Sequence, residues 1–214
     1  MQFAGFLAAM TLLSMPSLSI DVSADEMLKA VFKDWGQVNS AQISIVRWSR
    51  WPDATGEDYD GNTDIWFSRK HGLKVYSVSY WGDCNLFLTD GKTLLLDEFQ
   101  DRVTLTDAVD LAGPGRTPAD LSDDGGLIPI LLSGMKAYES HVDQEKPVTL
   151  VKEGEAEELS FTHKPSGSVV KLVLSKGRVT SITYPLSFPW MPSATGSIRD
   201  EIVRQRFGGS ISPS

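Results

Sequence analysis

Short segments with apolar residues at alternate positions, separated by turn residues, run through most of this 214-residue chain. Gly-containing pairs such as Asp90-Gly91 and Lys176-Gly177 separate several of them, as in β-hairpins. Strands joined in sequence by short turns form antiparallel meanders instead of βαβ units. The pattern therefore predicts a mainly β (α+β) fold built on a curved antiparallel sheet. The predicted strands lie at about residues 43–48, 62–69, 73–80, 84–89, 93–99, 103–106, 147–151, 157–163, 169–174, 179–184 and 197–207.

A different period precedes the first strand. Ser23 and Glu26 have the spacing of a capping box. Met27, Ala30, Val31 and Trp35 follow at helical spacing. This pattern predicts an amphipathic helix over about residues 24–35 that ends near Gly36.

The middle of the chain interrupts the strand pattern. Residues 110–126 are rich in Gly, Pro and Asp and predict a loop. Residues 127–135 are strongly apolar, with Pro129 placed in what would be the first turn of a helix. We expect this segment to form a helical plug over the sheet.

Residues 52–61 are polar and predict a hairpin connection.

The N-terminus resembles a secretory signal. Residues 3–13 are nearly continuous apolar sequence, and Val22-Ser23-Ala24 has the small residues of a cleavage site. We therefore expect a signal peptide at residues 1–24, a single mature domain at 25–214 and a periplasmic location. The first basic residue is Lys29, so the usual positive n-region is missing. An uncleaved anchor is the alternative, although Pro16 and Asp21 leave the apolar run short for a membrane span.

Composition narrows the range of partners. A formal charge of -8, with no concentration of Lys and Arg, argues against nucleic-acid binding. Cys84 is the single cysteine, so no intramolecular disulfide can form. We interpret it as a half-buried strand thiol in a protein that is monomeric and does not span the membrane.

No set of residues predicts catalysis or a resident metal. Five acidic residues crowd one hairpin, but their spacing does not follow the EF-hand pattern, and a solvated hairpin tip is the alternative: Asp53, Glu57, Asp58, Asp60 and Asp64. His71, His141 and His163 are too scattered for a zinc-ligand motif. Ser133-Gly134 lacks the G-x-S-x-G pattern of hydrolases. We therefore expect no catalytic residue, no metal and no cofactor, and a protein that is not an enzyme.

Two motifs carry a resemblance to a known family. Asp64-Ile65-Trp66-Phe67-Ser68-Arg69 resembles the Asp-Leu-Trp-x-x-Arg strand of the periplasmic outer-membrane lipoprotein carriers, the LolA family. Leu88-Thr89-Asp90-Gly91-Lys92-Thr93-Leu94 resembles the Ser-Asp-Gly-Lys-Thr-Leu hairpin of that family, at a similar distance. The helices and later strands follow in the family's order, so the resemblance spans most of the mature chain.

The resemblance implies an incomplete β-barrel covered by helices, with an apolar cavity for lipoprotein acyl chains. The implied function is a soluble, non-catalytic carrier of such chains or of another lipid-like ligand, acting with inner- and outer-membrane transport components. Arg69 matches the family arginine that hydrogen-bonds to the helical lid and gates the cavity. The chain has Lys70 where the family usually has proline. A periplasmic regulatory or sensor protein with the same half-barrel and a secreted enzyme of unknown type are the alternative functions.

Strand alternation predicts which residues would line such a cavity. If Arg69 points inward, Ile65 and Phe67 do so too and Trp66 points outward. Ordinary core packing is the alternative for every candidate. The predicted ligand-binding residues are Ile45, Ile65, Phe67, Arg69, Val75, Leu86, Leu88, Leu94, Ile130 and Leu131.

Overall fold

The computed structural model describes residues 22–79, 82–89, 92–97, 102–107, 127–187 and 195–207, with side chains at 22–78, 127–185 and 196–207. Within these residues, eleven strands form one antiparallel sheet, and three helices accompany it. The helices are α1 (Ala24–Gly36), α2 (Ile128–Leu132) and α3 (Met135–His141). The strands are β1 (Ser40–Arg50), β2 (Asp58–Ser68), β3 (Gly72–Ser79), β4 (Gly82–Thr89), β5 (Lys92–Asp97), β6 (Arg102–Asp107), β7 (Thr149–Glu153), β8 (Ala156–Thr162), β9 (Val169–Ser175), β10 (Arg178–Ser187) and β11 (Thr195–Phe207).

The sheet consists of two meanders joined by the first and last strands. Its order is β6-β5-β4-β3-β2-β1-β11-β10-β9-β8-β7, and β6 and β7 form the two edges, so the sheet is not closed. The long pairing of β1 with β11 runs from Ala41 opposite Phe207 to Arg50 opposite Ser197. This architecture confirms the prediction of a mainly β fold with an open, curved antiparallel sheet.

Alternation along β1 shows how the sheet acquires one buried face. Ala41, Ile43 and Ile45 are buried, whereas the residues between them are only partly covered. Because side chains alternate across a strand, the apolar set lies on a single face. The same face continues with Ile65 of β2 and Val75 of β3 in one hydrophobic core.

Helix α1 begins and ends where its sequence predicts. The Ser23 hydroxyl accepts from the backbone N–H of Glu26, and the Glu26 carboxylate accepts from the backbone N–H of Ser23. This reciprocal bonding satisfies two donors that the first turn would otherwise leave open. Leu28, Val31, Phe32 and Trp35 form the buried side of the helix.

The predicted plug at residues 127–135 is two short helices instead of one. Gly134 separates α2 from α3 with a φ of +66°, which lies in the left-handed region that glycine adopts without strain. All five residues of α2 are buried. The expectation of a single helix was therefore wrong at Gly134, and α3 extends the helical segment to His141.

Helices α1, α2 and α3, here called the helical layer, pack on the apolar face of the sheet. The Phe32 ring meets the Tyr138 ring edge-to-face with centroids 5.6 Å apart, and it meets the Phe161 ring in the same way at 6.3 Å. Phe32 thus connects α1 with both α3 and β8. Edge-to-face pairs of this kind stabilise a core beyond their buried area.

Most predicted strands are confirmed within a few residues, with one correction. The polar connection expected at residues 52–61 is shorter, because β2 already begins at Asp58. Tyr59 pairs with Trp48 in the register and packs against its ring at 5.9 Å. The predicted signal peptide lies outside the described residues except for its last three, and the 110–126 loop lies outside them altogether. None of the helices in the described parts of the chain is long and apolar enough to cross a membrane.

Candidate functional site: a groove beside the first helix

A groove of about 680 Å³ lies between α1 and the neighbouring ends of the sheet, and we call it the α1 groove. Ligand pockets in proteins commonly measure about 300–1,000 Å³. The groove is partly open to solvent. Its walls are α1 and the connection to β1 on one side, and β8, the β9–β10 turn and the end of β11 on the other. It is lined by Met27, Ala30, Val31, Asp34, Trp35, Gln37, Val38, Asn39, Glu157, Leu174, Gly177, Arg178, Gln205 and Phe207.

The helical wall of the groove is an apolar stripe. Met27, Ala30, Val31 and Trp35 recur at the three- and four-residue spacing that places side chains on one face of a helix. Trp35 meets Phe207 of β11 edge-to-face, with ring centroids 5.3 Å apart. Two large aromatic rings therefore connect the helical wall to the sheet wall.

Polar groups sit among the apolar lining. Asp34, Glu157 and Arg178 supply charges of both signs, and Gln205 adds an amide. The Gln205 side chain donates to the carbonyl of Val179, which fixes it against β10. An apolar surface with a few polar groups is the usual composition of a site for an amphiphilic small molecule.

Arg69 fixes the end of α1. Its guanidinium donates to the carbonyl of Gly36, the last residue of the helix, and its backbone N–H donates to the carbonyl of Asn39 at 3.0 Å. The guanidinium also lies over the Phe67 ring, 5.6 Å from the centroid. Asn39 lines the α1 groove, so Arg69 holds the connection that forms one end of it.

The predicted ligand-binding residues lie elsewhere than in this lining. Five of them are buried in the core between sheet and helical layer: Ile45, Ile65, Val75, Ile130 and Leu131. Phe67 is half-buried against the core, whereas Arg69 is exposed. Leu86 and Leu88 are on β4 and Leu94 is on β5, but their side chains lie outside the described ones. A ligand-binding role for these ten residues stays a prediction.

The α1 side of the groove has a signal in the sequence, but that signal predicts a helix and not a binding site. The stripe from Met27 to Trp35 predicted the amphipathic helix, and none of its members was predicted to bind a ligand. Met27 is partly covered and Ala30 is exposed, because both lie at the flank of α1 that faces the groove. The sheet wall has no local signal, since Leu174 and Phe207 come from strands far apart in the chain.

A buried polar cluster lies on the inner face of the sheet. Arg47 of β1 and Asp200 of β11 are opposite each other, with Nε and Oδ1 3.7 Å apart. The Tyr184 hydroxyl donates to the other oxygen of Asp200 at 3.2 Å. Burial raises the pKa of Asp200 to about 6, and the nearby Arg47 charge opposes this rise.

Two histidines that are distant in sequence form a second buried cluster. Nδ1 of His141 lies 2.8 Å from Nε2 of His163, and Nδ1 of His163 lies 2.8 Å from the hydroxyl of Ser166. Their spacing in the sequence gave no metal or catalytic motif. We call His141 and His163 the histidine pair. Neither of them lines the α1 groove.

Metal-binding side chains do not converge in the part of the chain that the structure describes. There, no three His, Cys, Asp or Glu residues lie together in a way that could hold a metal ion. The acidic residues of the β1–β2 connection are engaged in part with cations. Glu57, for example, forms an ion pair with Arg199 at 2.7 Å.

Comparison with known proteins gives likeness at the level of structure alone. No family model matches the sequence, and no curated protein matches it. Among solved structures, the chain is similar to a LolA superfamily protein, NE2245 of Nitrosomonas europaea. The identity is 7%, over 88% of this chain and 95% of that chain, with a TM-score of 0.41.

Two further solved structures have comparable likeness. LprF from Mycobacterium bovis is 10% identical over 89% of this chain and 96% of its own, with a TM-score of 0.47. The MucA/MucB complex of Pseudomonas aeruginosa contains a chain that is 15% identical over 88% of this chain. This chain spans 58% of that one, with a TM-score of 0.43. At such identities and scores, function has to be argued from the groove itself.

Proposed function

We propose that this chain is a periplasmic binder or carrier of lipoprotein acyl chains or of another lipid-like ligand, and that the α1 groove receives the apolar chain. The observation that carries the proposal is the apolar stripe of α1, which faces a sheet wall across a groove of about 680 Å³. Binding is the whole of the proposed activity, with no catalytic step. The proposal includes a signal peptide at residues 1–24 and a single domain at 25–214.

Burial of methylene groups supplies the driving force for binding. Each buried CH₂ group contributes about 0.8 kcal/mol. A ligand chain lying along Met27, Ala30 and Trp35 would remove both its own surface and that of the stripe from water. Charged residues in the lining, such as Arg178 and Glu157, would offer hydrogen bonds to the polar end of the ligand, which would lie next to solvent.

Arg69 has a specific place in this proposal. Because its guanidinium holds the carbonyl of Gly36, it sets the position of the C-terminal end of α1 relative to β2. We propose that this contact controls how easily the groove wall moves when a ligand enters or leaves. Arg69→Leu is expected to slow ligand release, and Lys70→Leu, at the next exposed position, is the matched control.

Fluorescence quenching by a brominated acyl chain tests the proposal directly. Trp35 lines the groove, so dibromostearate or a brominated lipopeptide bound there should quench its emission. The quenching should be saturable in the wild-type protein and should lose its largest component in Trp35→Phe. A triacylated lipopeptide and a free fatty acid, compared as competitors, distinguish lipoprotein cargo from a simpler lipid.

A pair of substitutions on α1 separates groove binding from general adsorption. Ala30→Phe fills the groove and should weaken binding at least tenfold, whereas Lys33→Phe adds the same ring at an exposed position outside the lining. Equal binding by the two variants would exclude the α1 groove as the site. Absence of saturable quenching in the wild-type protein would overturn the lipid-binding function.

A further inference from the structure

The histidine pair lies at the joint between the helical layer and the sheet. His141 is the last residue of α3, and His163 follows β8 directly. Both side chains are buried, and their rings stack with centroids 5.1 Å apart and planes inclined by 22°. Since two ring nitrogens 2.8 Å apart form a hydrogen bond only when one of them carries the proton, the pair shares a single bridging proton.

Protonation changes this bond in two steps. The second nitrogen of His163 faces the Ser166 hydroxyl at 2.8 Å, so one added proton there keeps both hydrogen bonds but places a charge among buried groups. A second added proton leaves Nδ1 of His141 and Nε2 of His163 both as donors. The bond between the rings is then lost, and two positive charges face each other.

The backbone around the pair shows what the bond fastens. The N–H of Lys164 donates to the carbonyl of His141 at 2.8 Å, and the N–H of Asp143 donates to the carbonyl of Thr162 at 2.9 Å. Val142 also forms a β-bridge with His163. The C-terminal end of α3 is therefore attached to the sheet at the same place where the two rings meet.

We propose that the histidine pair is an acid-sensitive latch that holds the C-terminal end of α3 on the sheet when neutral and releases it when both rings are protonated. The released element is α3 together with the 163–168 turn. The latch does not depend on what the α1 groove binds. It gives the helical layer a stability that varies with pH independently of the rest of the fold.

The elements around the histidine pair carry other ionisable groups, and each ring of the pair has the other ring as its nearest titratable neighbour. Several of these groups are paired with each other: Asp25 with Lys29, Glu157 with Lys152, and Glu158 with Lys171. The Asp143 carboxylate accepts from the N–H of Glu145. The remaining titratable groups on these elements are Glu26, Lys33 and Asp34 of α1, Lys136, Tyr138 and Glu139 of α3, Glu145 and Lys146 of the connection to β7, Glu153 of β7 and Lys164 of the turn.

Burial acts in the same direction as the ring–ring contact. It is the larger cause that lowers the pKa of His163 to about 4, and the charge of His141 is the second cause. A histidine in an opened, solvated segment titrates near 6.5. For the proton of His163 alone, the open population is therefore expected to rise roughly 30-fold between pH 7.5 and pH 5, because the open form binds that proton more tightly.

Hydrogen exchange resolved by residue tests the latch in the full-length protein. After correction for intrinsic exchange rates, the amides of Tyr138, Val142 and Lys164 should lose protection at least tenfold between pH 7.5 and pH 5. Amides of the central strand pair β1–β11 serve as the internal reference and should change much less. A uniform loss across sheet and helices would overturn the proposal.

Substitutions that keep the hydrogen bond but cannot titrate complete the test. The amide of Asn occupies the place of a histidine Nδ1 and that of Gln the place of Nε2, so His141→Asn with His163→Gln should abolish the pH response of α3. His71→Gln, at the exposed third histidine, should leave it unchanged. If the double variant does not fold, ring-carbon NMR titration of the wild-type protein decides. Two buried rings titrating at ordinary pKa values would contradict the latch.

Discussion

A Cβ atom placed on Gly36 would lie 2.7 Å from the Cα atom of Gly134. The end of α1 and the break between α2 and α3 therefore meet backbone to backbone, at a distance that only two glycines permit. Arg69 holds the same end of α1 through the carbonyl of Gly36. One small region thus determines how the helical layer is assembled and where the wall of the α1 groove stands.

Gly36→Ala should destabilise the protein by about 1–3 kcal/mol, the usual cost of forcing extra atoms into a packed site. This cost opposes the gain of about 1 kcal/mol that alanine brings to a helix interior. Urea unfolding measures the difference. Gly56→Ala is the control, since a Cβ atom there meets nothing within 4 Å. Unchanged stability of Gly36→Ala would show that the two segments separate easily.

Tyr138→Phe should cost about 1 kcal/mol, the usual net value of a single hydrogen bond. The Tyr138 hydroxyl donates to the Asp25 carboxylate at 2.5 Å and thereby joins α3 to the first turn of α1. The pKa of Asp25 is lowered mainly by its hydrogen bond with Lys29 and to a smaller extent by its hydrogen bond with this hydroxyl. Chemical denaturation of the variant measures the loss. Tyr59→Phe, with an exposed ring, should have little effect on stability. If Tyr138→Phe has an effect as small as this control, the Tyr138 hydroxyl does not contribute to stability and the contribution of Tyr138 comes from its ring.

Local patterns in the sequence predicted the elements, whereas contacts between distant segments did not follow from it. Ser23 and Glu26 predicted the start of α1, because a capping box is complete within four residues. The separation of α2 from α3 at Gly134 could not be predicted from the apolar run, since its cause is the close approach of Gly36, 98 positions earlier in the chain.

The candidate site was harder to predict than the fold for the same reason. The α1 stripe was visible, but the wall opposite it exists only because β11 pairs with β1 and brings Phe207 to Trp35. The histidine pair likewise joins positions that are 22 residues apart. Sequence spacing detects ligands on a single element, and neither cluster is built that way.

Removing one partner of the buried Arg47–Asp200 ion pair should destabilise the protein more than removing both. Arg47→Met leaves the Asp200 carboxylate buried without its cation and should destabilise the protein by about 3–5 kcal/mol. Combining it with Asp200→Leu removes both charges, so the double variant should be more stable than Arg47→Met alone. A double-mutant cycle by urea unfolding measures the coupling. Strictly additive effects would show that the two side chains do not interact.

Acidification should lower the stability that His163 contributes and raise the stability that Asp200 contributes. The pKa of His163 is lowered to about 4, so the unfolded chain binds its proton more tightly, and the histidine contributes stability that is lost as the pH falls from about 6.5 to 4. The pKa of Asp200 is raised to about 6, so the folded chain binds that proton more tightly. Its contribution is present at low pH and is lost as the pH rises from about 4 to 6.

The stability of single variants across pH 4 to 7.5 separates these two effects. His163→Gln removes the loss on acidification and leaves Asp200, so its free energy of unfolding should rise relative to wild type as the pH falls. Asp200→Asn should do the reverse, with each difference reaching at most about 3 kcal/mol. Because the contributions partly cancel in the wild-type protein, its own profile should be flatter than that of either variant. Variant profiles parallel to wild type would mean that neither group changes its pKa on folding.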